Sequence, residues 1–135
     1  IEVTETAMMD SPEENALQLQ ALRAAGVSIA IDDFGRGYSS FTYLQRFPAT
    51  ELKIDQSFVM RMSRHLRDAQ LVRAMVGLAH GLGLKAIAEG VEDAETLRML
   101  RDCGCDLAQG YHLARPMSAQ RLLSRSIDVH EGRSR

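Results

Sequence analysis

The stretch Val27-Ser28-Ile29-Ala30-Ile31-Asp32-Asp33 decides the fold class, because it joins an apolar run to two adjacent aspartates. Residues 27–31 are apolar or small at every position, which predicts a parallel strand covered on both faces. A helix is predicted before this strand, from Ser11-Pro12 to Gly26. Its apolar face is predicted to hold Leu17, Ala21, Leu22 and Ala25. A helix that leads directly into a buried strand is typical of an α/β fold.

The same alternation of helix and strand continues along the chain. Further strands are predicted at residues 1–4, 51–55, 84–88 and 105–108, and further helices at residues 71–82, 94–101 and 118–124. The apolar face of the helix at 71–82 is predicted to hold Leu71, Ala74, Met75, Leu78 and Leu82. A (β/α)8 TIM-type barrel usually takes ~250 residues for its eight strands. The chain is therefore predicted to form about half of such a barrel, with about five strands.

Polar side chains stand within or just after strands that are otherwise apolar. They are Glu2, Asp32, Asp33, Lys53, Glu89 and Gln109. Because the carboxyl ends of parallel strands share one face of the fold, we expect these six side chains to converge there. For any one of these residues, a purely structural role is as well supported as a functional one. An Asp-Asp pair often forms a turn or helix cap, and Lys53 could pair with Asp55.

Four carboxylates in one cluster repel each other and take up protons unless cations balance them. Oxygen ligands favour Mg²⁺ or Mn²⁺ over Zn²⁺. Two adjacent aspartates suit two ions that share one carboxylate, as in two-metal phosphoester hydrolysis. A lysine beside them could hold the attacking water or stabilise developing charge.

The segment from Asp33 to Ser40 is rich in glycine and lacks the Gly-Lys-Ser/Thr ending of a phosphate-binding loop. We interpret it as a mobile lid, with Gly35 and Gly37 allowing unusual backbone angles and Ser39 and Ser40 anchoring its far end.

The composition predicts one soluble, packable domain. The chain has 135 residues, 45% of them hydrophobic, and a formal net charge of −2. This near-neutral charge argues against duplex nucleic acid as a partner, and no apolar stretch reaches the ~18 residues of a membrane span. Cys103 and Cys105 are interpreted as reduced thiols of a cytosolic protein. Because Ile1 already lies in an apolar run, we expect the chain to be the tail of a longer protein.

Five short motifs resemble, in order, the consecutive motifs of the EAL-domain family. They are Glu2-Val3-Thr4-Glu5, the segment from Asp32 to Ser40, Leu52-Lys53-Ile54-Asp55, Ala88-Glu89-Gly90-Val91-Glu92 and Gln109-Gly110-Tyr111. Members of this family are bacterial phosphodiesterases with a (β/α)8 barrel, which linearise the second messenger cyclic di-GMP to pGpG with two Mg²⁺ or Mn²⁺ ions. The resemblance implies that residues 1–125 are the C-terminal half of such a domain, with residues 126–135 a frayed polar tail.

The resemblance also implies roles for individual residues. Glu2 and Asp32 would bind one metal, Asp32 and Asp33 the second, and Glu89 would act as a ligand or through a water. Catalysis would involve Lys53, which holds the nucleophilic water, together with Glu89 and Glu92. Gln109 would support the water network or the substrate. The loop after Asp33 would be anchored through Glu5, Gly35, Gly37, Ser39 and Ser40, and it would border a homodimer interface.

The sequence departs from the family pattern in two places. Arg36 stands where a small or hydroxylated residue is usual. The Glu-Ala-Leu segment that names the family, and the asparagine-bearing strand after it, are expected upstream of Ile1, so the isolated fragment is expected to be inactive. An upstream sensor, cyclase-type domain or membrane anchor is left open, with the domain itself in the cytoplasm.

Two other functions compete with the phosphodiesterase. One is a catalytically inactive EAL-like module that binds cyclic di-GMP or a protein partner as a sensor. The other is a phosphoacceptor receiver domain, which also uses acidic residues and a lysine at strand ends. The receiver fails on the order of its motifs, because it would need a further aspartate at the end of its third strand and a lysine on its fifth, where Gln109 stands.

Overall fold

Five parallel strands form the centre of the fold in the computed structural model, which describes residues 1–10, 12–37 and 41–124. They are β1 (Glu2–Thr4), β2 (Ala30–Phe34), β3 (Glu51–Ile54), β4 (Lys85–Ala88) and β5 (Leu107–Ala108). Strands that follow each other in sequence also lie side by side, in the order β1-β2-β3-β4-β5, and every pair is parallel. This is the strand order of consecutive units of a TIM-type barrel.

Helices connect the strands. They are α1 (Glu5–Asp10), α2 (Pro12–Ala24), α3 (Phe41–Arg46), α4 (Gln56–Val59), α5 (Leu66–Gly81), α6 (Ala94–Asp102) and α7 (119–124). The predicted start of α6 is confirmed, because Asp93 accepts a hydrogen bond of 2.7 Å from the backbone N–H of Thr96. Ser11, at the predicted start of α2, lies outside the described residues. Within the part of the chain that is described, every helix is too short or too polar to cross a bilayer.

The core lies between the sheet and the helices, and two predicted helix faces are only partly correct. Met75, Leu78 and Leu82 of α5 and Leu22 of α2 pack against the core as predicted. In α5 the buried residues are Val72, Val76 and Ala79, whereas Leu71 is exposed. In α2 Leu19 is buried and Leu17 is 70% exposed. Both stripes of α5 have helical spacing, so periodicity alone does not show which of them is fully buried.

The strand predicted at residues 27–31 lies three residues later, at Ala30–Phe34. Ala30 is the first residue in register with both neighbours, opposite Glu2 on β1 and Glu51 on β3. The N–H of Ile29, one residue before β2, donates to the side chain of Thr50, at 3.0 Å from Oγ1. Asp32 and Asp33 therefore lie inside β2 rather than after it.

Asp106 joins three elements at the amino ends of β4 and β5. Its Oδ2 accepts a 2.8 Å hydrogen bond from the N–H of Ala86 and lies 2.8 Å from Nε2 of His80 at the end of α5. The hydrogen bond from Ala86, and then the contact with His80, lower the pKa of Asp106 below its usual 3.8. A carboxylate with a lowered pKa in the folded state stabilises the fold above its unfolded pKa, and this contribution disappears as the pH falls through the folded pKa.

We therefore expect Asp106→Asn to lower the free energy of unfolding by about 1 kcal/mol at pH 7, since a partly exposed charged hydrogen bond is lost. The difference from wild type should shrink below about pH 4. Urea unfolding at pH 7 and pH 3.5 measures it, with Asp102→Asn as a control in an exposed ion pair to Arg98. A difference that stays constant across this pH range would contradict the assigned role.

Candidate metal centre

Lys53 lies at the centre of a cluster of acidic side chains at the carboxyl ends of the strands. Its Nζ is 2.8 Å from Glu2 Oε1, 2.9 Å from Asp32 Oδ1 and 2.8 Å from Glu89 Oε1. These partners come from β1, from β2 and from the residue after β4, and the Lys53 side chain is only 7% exposed. Sheet order thus brings together residues that are far apart in sequence.

Asp33 joins the same cluster because β2 is irregular. One carboxylate oxygen from each of Asp32, Asp33 and Glu89 lies within 4.8 Å of the others. In a regular strand, successive side chains point to opposite faces, so neighbouring aspartates would separate. Here the register with β3 shifts between Ile31 and Phe34, and Asp33 has a left-handed φ of 54°. A bulge of this kind redirects side chains and lets both aspartates reach one site.

The electrostatics of the cluster favour a bound cation. Glu2, Asp32 and Glu89 pair with one ammonium, and Asp33 lies beside Asp32 and Glu89. Four carboxylates and one ammonium leave three negative charges uncompensated in this cluster. The buried Oδ1 of Asp32 has no hydrogen bond of good geometry among the described residues, although it lies near Lys53. These all-oxygen donors fit a hard divalent ion such as Mg²⁺ or Mn²⁺.

The same carboxylates keep Lys53 charged. Burial alone would lower the pKa of Lys53, but the contacts with Glu2, Glu89 and Asp32 outweigh it and raise the pKa above its usual range. Lys53 is therefore an ammonium at neutral pH, able to donate hydrogen bonds but not to accept a proton.

The alternative that Lys53 pairs with Asp55 is wrong. Asp55 is the N-cap of α4 and accepts a 3.0 Å hydrogen bond from the N–H of Ser57. Sequence reasoning placed Asp55 at the end of a strand and missed this cap, although Asp55-Gln56-Ser57 is a plausible start for a helix.

Glu5 reaches the segment after Asp33. This carboxylate is buried, and its Oε2 accepts hydrogen bonds from the N–H groups of Gly35 at 3.1 Å and Gly37 at 3.0 Å. Gly35 has a φ of 104°, and a Cβ there would lie 2.7 Å from Met75 and 2.8 Å from Phe58. The structure thus requires glycine at position 35. Ser39 and Ser40 lie outside the described residues.

Among the described residues, the side chains of Glu92 and Gln109 form no hydrogen bond or ion pair with the acidic cluster. Both are exposed, and within the described part of the chain neither side chain makes a hydrogen bond or ion pair. The backbone of Gln109 bonds to the end of β4 and the segment after it: its N–H donates to Ala88 at 2.8 Å, and its carbonyl accepts from Val91 at 3.0 Å. Of the six side chains predicted to converge, five are joined by the contacts of Lys53 or by the Asp32–Asp33–Glu89 group, and the convergence of Gln109 stays a prediction.

Comparison with known proteins identifies related sequences. The sequence model of the EAL domain matches residues 1–116. The bifunctional diguanylate cyclase/cyclic di-GMP phosphodiesterase MucR of Pseudomonas aeruginosa is 46% identical over 92% of this chain, which spans 18% of MucR. The cyclic di-GMP phosphodiesterase NbdA of the same organism is 45% identical over 87% of this chain, which spans 15% of NbdA.

Solved structures resemble the chain as well. A PaMucR phosphodiesterase in complex with c-di-GMP has a TM-score of 0.85 and 46% identity, covering 90% of this chain and 49% of that one. Klebsiella pneumoniae BlrP1 with manganese and cyclic di-GMP has a TM-score of 0.78 and 38% identity, covering 86% of this chain and 30% of that one. The predicted α/β half-barrel is therefore confirmed.

Proposed function

We propose that this chain supplies the acidic centre of a cyclic di-GMP phosphodiesterase whose product is linear pGpG, because the chain belongs to the EAL domain family. It forms the C-terminal half of that domain. The observation that carries this proposal is the group of Asp32, Asp33 and Glu89, two of which pair with the ammonium of Lys53. Relatives named as cyclic di-GMP phosphodiesterases, and a related structure that holds the dinucleotide, support the choice of substrate.

We propose that two ions, Mg²⁺ or Mn²⁺, are held by Glu2, Asp32, Asp33 and Glu89. Bound there, they would lower the pKa of a coordinated water and balance charge on the phosphodiester. Support comes from the uncompensated negative charge, from the buried Asp32 Oδ1 and from the manganese in the related BlrP1 structure.

The side chains of this domain would position the reactants. The Lys53 ammonium, oriented by three carboxylates, would donate a hydrogen bond to the attacking water or to the developing negative charge. Glu5 would hold the Gly35–Gly37 segment beside the site. Glu92 and Gln109, whose side chains are exposed, would contact bound water or substrate.

The wider setting belongs to the same proposal. A homodimer would use the segment after Asp33, where the Arg36 side chain is exposed. MucR is named as both a diguanylate cyclase and a phosphodiesterase, which supports a cyclase-type domain upstream of this chain. The whole enzyme would act on a second messenger in the cytoplasm.

The full-length protein should release pGpG from cyclic di-GMP in Mn²⁺, and EDTA should abolish this release because the carboxylates alone cannot activate water. Chromatography of the products measures it, and Mn²⁺ added after EDTA should restore the rate. Tight binding of cyclic di-GMP without any hydrolysis would instead identify a sensor module.

A further inference from the structure

Arg36 connects the glycine-rich segment to the end of β3. Its guanidinium Nη1 lies 3.9 Å from Oδ2 of Asp55, and the side chains of Arg36 and Asp55 are 65% and 3% exposed, respectively. The backbone N–H of Arg36 donates to the carbonyl of Asp33 at 3.3 Å, closing the turn that follows the second aspartate of the cluster. The exposed arginine therefore couples a buried carboxylate to the turn that begins at Asp33.

Asp55 holds this turn at a second point. Its N–H donates to the carbonyl of Phe34 at 3.4 Å, while Oδ1 accepts from the N–H and hydroxyl of Ser57 and so leaves Oδ2 facing Arg36. Asp55 lies two residues after Lys53 on the same segment. The contacts of Asp55 thus connect the turn carrying Asp33 to the strand carrying Lys53.

We propose that Arg36 is a positioning residue, whose ion pair with Asp55 keeps the Asp33 carboxylate in the group formed with Asp32 and Glu89. A small or hydroxylated residue, the type usual at position 36 in the family, has no charge to place beside Asp55. The inference rests on the proposed metal-dependent function, because it concerns the affinity of the acidic cluster for a divalent ion.

The expected effect is modest. An ion pair with one exposed partner is weak and is screened by salt. The turn is also held by Glu5 and by the Phe34–Asp55 hydrogen bond, so the fold should survive the loss of Arg36. We expect Arg36→Gln to weaken Mn²⁺ binding about three- to fivefold at low salt, with less difference at high salt.

Calorimetric titration of the full-length protein with Mn²⁺ tests the proposal. Arg36→Lys, which keeps the charge, should recover most of the affinity lost in Arg36→Gln. Arg73→Gln is the matched control, because Arg73 is an exposed arginine on α5 with no ion pair among the described residues. In an Asp55→Asn background, Arg36→Gln should cause little further loss. Melting temperatures measured without metal should be equal for wild type, Arg36→Gln and Arg36→Lys.

The outcomes separate this inference from the proposed function. Equal Mn²⁺ affinity of wild type and Arg36→Gln would overturn the role of Arg36 while leaving the phosphodiesterase proposal intact. Failure of Arg36→Lys to restore affinity would also overturn it, because charge would then not be the cause. A metal-free Arg36→Gln protein that is substantially unfolded would overturn it too, because the loss of affinity would then follow from unfolding. No Mn²⁺ binding by wild type would overturn both proposals.

Discussion

Replacing Lys53 by alanine should lower the rate of cyclic di-GMP hydrolysis about 100- to 1,000-fold while leaving dinucleotide binding largely intact. A preorganised donor aimed at charge that develops in the transition state contributes about this much to catalysis. Three carboxylates orient the Lys53 ammonium before any substrate arrives, so little reorganisation is needed during the reaction. At saturating Mn²⁺, kcat of Lys53→Ala should therefore fall while its KM stays close to that of wild type.

The same replacement should also destabilise the metal-free protein. Without Lys53, four carboxylates would have no positive partner. Because Glu2 is 58% exposed and Asp32 and Glu89 are 22% and 20% exposed, the loss should be smaller than the roughly 3–5 kcal/mol of a fully buried broken pair. Saturating Mn²⁺ should recover part of this loss. Lys85→Ala is the matched control, because Lys85 is the other lysine of the chain and lies exposed on β4. Weaker dinucleotide binding with unchanged kcat would contradict the assigned role of Lys53.

The convergence of the acidic cluster could be predicted from sequence because it depends only on strand order. Glu2, Lys53 and Glu89 stand on or just after short apolar runs, and parallel strands bring such positions to one face. The prediction required no knowledge of exact strand limits. The predicted convergence is therefore correct even though β2 begins three residues later than predicted.

The way in which Asp33 joins the cluster could not be predicted. Strand periodicity places Asp32 and Asp33 on opposite faces, and only the shift of register against β3, together with the positive φ of Asp33, brings them together. Both features arise from pairing between strands far apart in sequence, which no local pattern reports. The three ion pairs of Lys53 depend on the same long-range geometry.

Helix limits and faces were predicted less well for a local reason. Helices α1, α3 and α4 have four to six residues, too short for an apolar period to be recognised. In α5 the β-branched Val72 and Val76 pack inward, although the larger Leu71 offered an equally regular stripe. Packing against the sheet, rather than side-chain hydrophobicity alone, selects between such stripes.

Replacing Asp32 by asparagine should weaken Mn²⁺ binding at least about 100-fold, since even outer residues around a metal can change affinity 10- to 100-fold. Asp32 is close to both Asp33 and Glu89, and it contributes the buried Oδ1. Asparagine keeps the shape of the side chain but removes one negative charge and one ligand oxygen. Calorimetric titration measures the change, and Asp102→Asn on α6, which alters an exposed ion pair with Arg98, should bind as wild type does.

Thermal unfolding provides a second measure of the same loss. A ligand that binds only the folded protein stabilises it by about 2.7 kcal/mol when its concentration is 100 times Kd. Wild type should therefore melt at a higher temperature in Mn²⁺ than in EDTA, whereas Asp32→Asn should show almost no difference. The comparison is made within each variant, so any intrinsic change in stability caused by the asparagine cancels. An equal rise for both proteins would exclude Asp32 as the shared ligand and would leave Asp33 and Glu89 as the main binding groups.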